Sequence, residues 1–450
     1  MKKIIVFAGL ALAVLGSAQA AIVTNTNQSA AYLRLLARNA SMDIDAVYYN
    51  PAGLTKLKNG WHVSLSNQTI NQTKTVVNDF LLLNNHTYEG KVNVPIFPDA
   101  YLVWKKDKLA FSLGFGPNAG GGSADFTTGL PSFEVPISQL PAMITGMGLS
   151  TTKYSADIAF KGSSIYLGFQ ANASYAVSEM FSLAAGFRYI MATNTYEGHL
   201  NDVKINPAHP LLNPTGAMMS AVTFFTAIGQ PVYAAMVANK SVDVEQTGTG
   251  ITPILSLHAT PMPELNLSLR YEFNTKLEMT NKTTADGTGL FPDGAKFRDD
   301  IPAILAFGAD YAVSPQFRAM LSFSYYFDTS ANWDGGEDLV DSNTYEIAVG
   351  LEYDVTDLIT VSAGYMMTNY GVSEAYQSDQ SHVLDANTFG LGARLHLSPK
   401  LCLDLSGLIS NYTDTSRQIA YIPFGVYREL YQRTTFAFSL GLGYRFGGEE

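Results

Sequence analysis

Residues 436–446 read Phe436-Ala437-Phe438-Ser439-Leu440-Gly441-Leu442-Gly443-Tyr444-Arg445-Phe446. Every second residue is large and apolar, and those between are small or polar. Successive side chains of an extended chain point to opposite faces, so this is a strand with one greasy face and one polar face. A soluble sandwich or a membrane barrel could use such a strand. The number of repeats decides between them.

The same alternation recurs upstream. Ile347, Val349, Leu351 and Tyr353 alternate with Glu346, Ala348, Gly350 and Glu352. Phe389, Leu391, Ala393, Leu395 and Leu397 alternate with Gly390, Gly392, Arg394 and His396. Leu265, Leu267, Leu269, Tyr271 and Phe273 share one face, as do Ile359, Val361, Ala363 and Tyr365. Short connectors at 106–108, 178–179, 261–264, 314–316, 354–357 and 398–400 alternate with long ones near 73–97, 118–157, 201–241, 276–299, 328–342, 370–386 and 412–428. Six short turns and seven long loops join fourteen strands. The expected fold is all-β: a 14-stranded antiparallel transmembrane β-barrel over residues 61–446, with residues 447–450 as a tail. Short turns mark its periplasmic end and long loops its outer end.

Composition agrees. Charged residues make up 15% of the chain, Tyr and Phe number 25 each, and mean hydropathy is +0.05. That is too apolar and aromatic for a soluble enzyme and too polar for a bundle of membrane helices. Residues 1–20 have a basic start (Lys2, Lys3), a short apolar run and a small-residue end at Ser17-Ala18-Gln19-Ala20, which is a secretory signal peptide. Net charge is −11, and the exported chain loses two lysines more. An acidic exported chain is not built to bind nucleic acid. The one cysteine, Cys402, permits no internal disulfide.

Before the strands lies a different pattern. Residues 28–40 carry apolar positions at helical spacing, with Ser29 as an N-cap. Tyr49-Asn50-Pro51-Ala52-Gly53-Leu54 follows, where Pro fixes φ and Gly permits a tight turn. Two long loops are apolar. One holds Phe133, Ile137, Leu140, Met143, Ile144 and Met147; the other holds Met218, Met219, Phe224, Phe225, Tyr233 and Met236. Gly229-Gln230-Pro231 interrupts the second and predicts two short helices instead of a spanning one. Apolar surface on outer loops marks a binding site, and Met adapts to varied greasy ligands.

With the signal peptide, N-terminal helical segment, Asn50-Pro51-Ala52 and fourteen strands, essentially the whole exported chain resembles the FadL-type outer-membrane transporters of long-chain fatty acids and other hydrophobic compounds. The resemblance implies that residues 21–60 form a hatch plugging the lumen. It implies ligand capture at the apolar loops by Phe133, Ile137, Leu140, Met143, Met147, Met218, Phe224, Phe225, Tyr233 and Met236. It further implies a pocket beside the hatch and sideways exit into the membrane through a kinked strand. Gly114, Gly116 and Pro117, ahead of Gly120-Gly121-Gly122, are the kink candidates, since Gly weakens a ladder and Pro removes a donor. The chain departs from the family pattern at its end, where Phe446 is followed by Gly447-Gly448-Glu449-Glu450.

For an amphipathic ligand, lumen-facing Arg188, Arg270, Arg318, Arg394 and Arg445 are carboxylate-partner candidates. They could equally solvate the lumen or pair with Glu272, Glu346, Glu352 or Asp404. No cofactor or metal is expected. The seven histidines are dispersed, with no Gly-x-Ser-x-Gly or His-Glu-x-x-His motif, so an enzyme is not expected. The expected partners are a hydrophobic small molecule of the fatty acid class, outer-membrane lipid and the barrel assembly machinery, with the chain a monomer. An open porin for hydrophilic solutes and a surface adhesin barrel are the rival readings.

Overall fold

The computed structural model describes residues 29–421 and 424–448. The signal peptide reading (1–20), the start of the expected hatch (21–28) and the last two tail residues fall outside that span.

Fourteen antiparallel strands close a barrel. They are β1 (Gly60–Asn78), β2 (Thr87–Lys106), β3 (Leu109–Phe126), β4 (Tyr154–Ala176), β5 (Phe181–Ile205) and β6 (Lys240–Met262), then β7 (Leu265–Glu272 and Glu278–Asp286) and β8 (Lys296–Arg298 and Ile304–Ser314). There follow β9 (Phe317–Tyr326), β10 (Tyr345–Asp354), β11 (Ile359–Asn369), β12 (Ala386–Ser398), β13 (Leu401–Tyr412 and Thr415–Tyr421) and β14 (Gly425–Phe446). Closure runs from Trp61↔Phe446 to Asn78↔Glu429. The two segments of β7 and of β8 keep one register, and the isolated bridge Thr275↔Ile301 spans both interruptions.

The alternation of short turns and long loops is as expected, but three loops are shorter, 276–299 among them because Glu278–Asp286 and Lys296–Arg298 are paired strand. Strands run on to Asn78 and resume at Thr87, so 73–97 is mostly wall. The supposed loop at 412–428 is a hairpin, with Thr415↔Tyr431 to Tyr421↔Gly425 paired. Beyond the lipid layer nothing imposes an apolar face, so hydrogen-bonded strand continues there without the alternation that signals it.

The outward face carries the apolar set. Phe438, Leu440 and Leu391 are 52%, 54% and 67% exposed. Trp61 stacks on Phe446 at 6.3 Å and Trp104 on Phe111 at 5.9 Å near the short-turn end, an aromatic girdle. Among the described residues no helix is long and apolar enough to cross a membrane.

The inward face is small and polar because the N-terminal segment lies against it. A Cβ on Gly308 would sit 2.3 Å from Ala40 N, and one on Gly390 2.3 Å from Leu33 O. Only glycine lets the wall approach the segment's backbone so closely. The segment contains α1 (Ala30–Arg34), α2 (Ala46–Tyr49) and a 3-10 turn (Pro51–Lys56). Ser29 caps α1 by accepting from Tyr32 N at 3.0 Å. The helix stops well short of residue 40. Wall hydroxyls take the backbone instead: Asn39 N donates to Ser322 and Asn39 O accepts from Ser268. A helix of five residues has little stability of its own. Burial of Leu33, Leu35 and Leu36 against the wall holds this one.

Candidate functional site

The Asn50-Pro51-Ala52-Gly53 turn is bonded to three wall strands. Asn50 Nδ2 donates to Ser41 O and to His258 Nδ1, each at 3.0 Å. Ser256 Oγ donates to Asn50 Oδ1 and accepts from Ala52 N, both at 3.3 Å. Ser174 Oγ donates to Pro51 O at 2.7 Å, and Thr55 meets Ser182 at 2.7 Å. A Cβ on Gly53 would sit 2.4 Å from Asn50 Nδ2, so the turn closes only with glycine there. The turn thus combines local bonds, such as Gly53 N on Asn50 O at 2.8 Å, with bonds to side chains that only the folded barrel supplies.

Four of the five arginine candidates, all but Arg445, are already paired with carboxylates. Arg188 makes a bidentate pair with Glu272 (2.6 and 3.1 Å), bonds Gln170 and lies 4.4 Å over the Tyr48 ring. Arg270 donates to Tyr48 O and lies 3.3 Å from Glu272. Arg318 is held by Asp310 and, at 3.1 Å, by Glu352. Arg394 joins Asp404 and Asp43, each at 2.9 Å. Arg445 lies at the short-turn end of β14, its backbone N–H on Lys400 O at 2.8 Å. Arg34 and Arg38 complete the network from the segment's side: Arg34 binds Glu352 (2.5 Å) and Asp404 (2.8 Å), and Arg38 binds Asp45. Alternating charges of this kind tie segment to wall and leave these guanidiniums with carboxylates of their own.

Gly114, Gly116 and Pro117 lie where β3 parts from β2. Pairing runs from Lys106↔Leu109 to Ala100↔Phe115 and is next recorded at Lys91↔Asp125. Over the same stretch β3 stays paired with β4, through irregularities at 117–119 and 120–122. Gly120, at φ +76°, is one of them. Inside this stretch is a small cavity of about 10 Å³, room for the centre of one water, between α2 and the wall, lined by Val47, Tyr48, Gly114, Gly116, Asn118 and Arg188 among others. Asn118 is buried in it with neither amide atom bonded among the described residues.

The apolar loops pack on each other. The β3–β4 loop forms α3 (Pro131–Ser138) and α4 (Leu140–Gly146); the β5–β6 loop forms α5 (Ala221–Ala227) and α6 (Pro231–Met236), broken at 228–230 as expected. Ile137, Leu140, Phe224 and Phe225 are core of this cap, Phe224 and Phe225 fully so. Phe133, Met143, Tyr233 and Met236 are half-buried, and Met147 and Met218 are exposed. Buried Glu134 anchors the cap, accepting from Tyr88 (2.6 Å) and Tyr154 (2.7 Å). Sequence reasoning missed Glu134 and Asn118, since neither stands out before its neighbours are known.

No family model matches the chain, and no curated protein matches it in sequence. Solved structures do match in shape. A Pseudomonas aeruginosa FadL homologue aligns with TM-score 0.68 at 16% identity, over 95% of this chain and 100% of that one. The Pseudomonas putida toluene transporter TodX aligns at 0.60 and 14%, over 95% and 100%. The Ralstonia pickettii toluene transporter TbuX aligns at 0.55 and 14%, over 90% and 94%. This chain has the FadL fold.

Proposed function

We propose that this chain is an outer-membrane transporter for hydrophobic compounds, long-chain fatty acids among them. The loop cap captures the ligand, residues 21–60 act as a hatch, and the ligand leaves sideways between β2 and β3. The chain works as a monomer, inserted by the barrel assembly machinery with its short turns toward the periplasm. The observation that carries the reading is the coincidence of a segment packed on the inner face with an interrupted β2–β3 ladder. Residues 29–57 lie against the inner face, and the ladder is interrupted beside them at a cavity. The described neighbours, a FadL homologue and toluene transporters, support the same class of cargo.

The physics favours this route. Each methylene removed from water contributes about 0.8 kcal/mol, so a greasy ligand gains by passing from apolar loops to lipid without crossing an aqueous pore. The test is paired. Purified protein in planar bilayers should give no large steady current, and cells lacking the protein should take up labelled fatty acid or toluene more slowly. Large currents would make it a porin; unchanged uptake of every hydrophobic compound tried would remove the transport reading.

A further inference from the structure

Lys74 and Arg433 are directly opposite each other across the β1–β14 ladder. Both belong to the inward set, in phase with Ser66, Gln68, Val76 and Asn78 on β1 and with Glu429, Tyr431 and Ala437 on β14, all of them buried. Like charges facing each other across a sheet are destabilising unless something answers them. Among the described residues neither has an acidic partner within salt-bridge distance. Residues 1–28 contain no Asp or Glu that could provide one. The inward carboxylate next along β14, Glu429, is four residues away, ~13 Å at strand rise, and is taken by Asn78 and Tyr431.

A third group faces the same spot. His382, buried and stacked on Tyr431 at 5.0 Å, comes down from the β11–β12 loop. Its Nδ1 is bonded to Ser378 O at 3.2 Å, and a carbonyl only accepts, so Nδ1 carries the hydrogen. Nε2 is buried without a partner among the described residues, as is Arg433 Nε. Arg433 also donates to His382 O at 2.6 Å and stacks 5.2 Å over Tyr412. Burial, then the charges of Arg433 and Lys74, hold the imidazole well below its ordinary range. Apolar side chains lie on both sides: Ile70 toward the N-terminal segment, Val76 and Leu384 toward the loops.

We infer that Lys74, Arg433 and His382 form a binding site for the anionic head of a single-chain amphiphile, a carboxylate with its tail along the neighbouring apolar wall. This rests on the transport reading and narrows it: burial and Arg433 push the Lys74 ammonium down to about 7, a bound carboxylate would restore its charge, and a neutral hydrocarbon would not. Two charge-assisted contacts would outweigh the repulsion between Lys74 and Arg433.

The test compares hexadecanoate with hexadecanol, equal in chain length, binding to the full chain in a neutral detergent at a pH where the acid is ionised. Wild type should bind the acid at least about tenfold more tightly than the alcohol. The Lys74→Met, Arg433→Met double variant should lose that preference and keep its affinity for the alcohol. Folding of the variant is checked by the heat-dependent gel mobility of a closed barrel. Equal binding of acid and alcohol by wild type would overturn the site and leave hydrophobic transport standing. A preference that survives in the folded double variant would also overturn it. Failure of both compounds to bind wild type would overturn the site and the transport reading together.

Discussion

The side-chain amide of Asn50 donates to Nδ1 of His258 at 3.0 Å, joining the N-terminal turn to the inner face of β6. Because Nδ1 accepts, the ring hydrogen must be on Nε2, toward Thr260. Asn50→Ala removes this bond and the one to Ser41, and strands two buried acceptors at about 1–3 kcal/mol each. Combined with Pro51→Ala, it should loosen the segment and raise sensitivity to a large hydrophilic antibiotic. Unchanged sensitivity would mean the motif is only a turn.

Arg34 is fully buried and shared between Glu352 and Asp404. Removing one member of a buried charge network costs more than the network contributes, roughly 3–5 kcal/mol, because the partners stay behind as charges. Arg34→Met should therefore lower the temperature at which the compact gel band of the folded barrel gives way. Arg34→Met with Glu352→Gln should recover part of the loss, since it removes the stranded charge too. A single variant as heat-resistant as wild type would show that Arg318 and Arg394 neutralise the carboxylates alone.

Where lipid dictates the side chain, the fold was legible. Outward residues such as Leu391 and Phe438 must be apolar, and their period of two carried the strand count. Where only hydrogen bonding holds the strand, as at Thr415–Tyr421, the pattern vanishes and the wall reads as loop. The arginines show a second limit. A sequence can place Arg188 or Arg394 on the inner face, but the partner that neutralises it is a matter of register and of a segment hundreds of residues away. Lys74 and Arg433 are the reverse case: nothing marks either one until β1 and β14 are seen to close the barrel. The glycines facing the segment, Gly308 and Gly390, read only as small residues until the backbone they accommodate is in place.

Asp328, in the β9–β10 loop, is buried, with Oδ2 accepting from Thr344 N at 2.7 Å and Oδ1 without a partner among the described residues. Burial outweighs that bond and pushes its carboxyl up to about 6. A raised acid binds its proton more tightly in the folded loop than in the open one. The stabilisation is therefore present at pH 4 and lost as pH rises toward 6 and beyond, on the order of 2 kcal/mol. Hydrogen exchange at the Thr344 amide should show the loop better protected at pH 5 than at pH 7, after correction for intrinsic exchange. Asp328→Asn should remove the difference and hold the protected state at both. A loop better protected at pH 7 in wild type would reverse the assignment.

Gly114 stands where β3 leaves β2, and a Cβ there would lie 2.9 Å from Val47 Cγ1 and 3.3 Å from Tyr101 Cδ1. Alanine needs only a few tenths of an ångström of movement from Val47, a stiff and fully buried side chain. Leucine needs more, and its extra methyl groups have only the cavity beside Asn118 to enter. Overpacking of this kind costs about 1–3 kcal/mol, which a closed barrel survives. Gly114→Leu should thus stay folded, show no rise in conductance, and take up hydrophobic cargo at least about tenfold more slowly, a loss of about 1.4 kcal/mol in the transport step. Gly114→Ala should transport within about twofold of wild type. Full transport by a folded Gly114→Leu barrel would mean that cargo does not pass between α2 and β3, and that the unpaired β2–β3 stretch is a structural irregularity only.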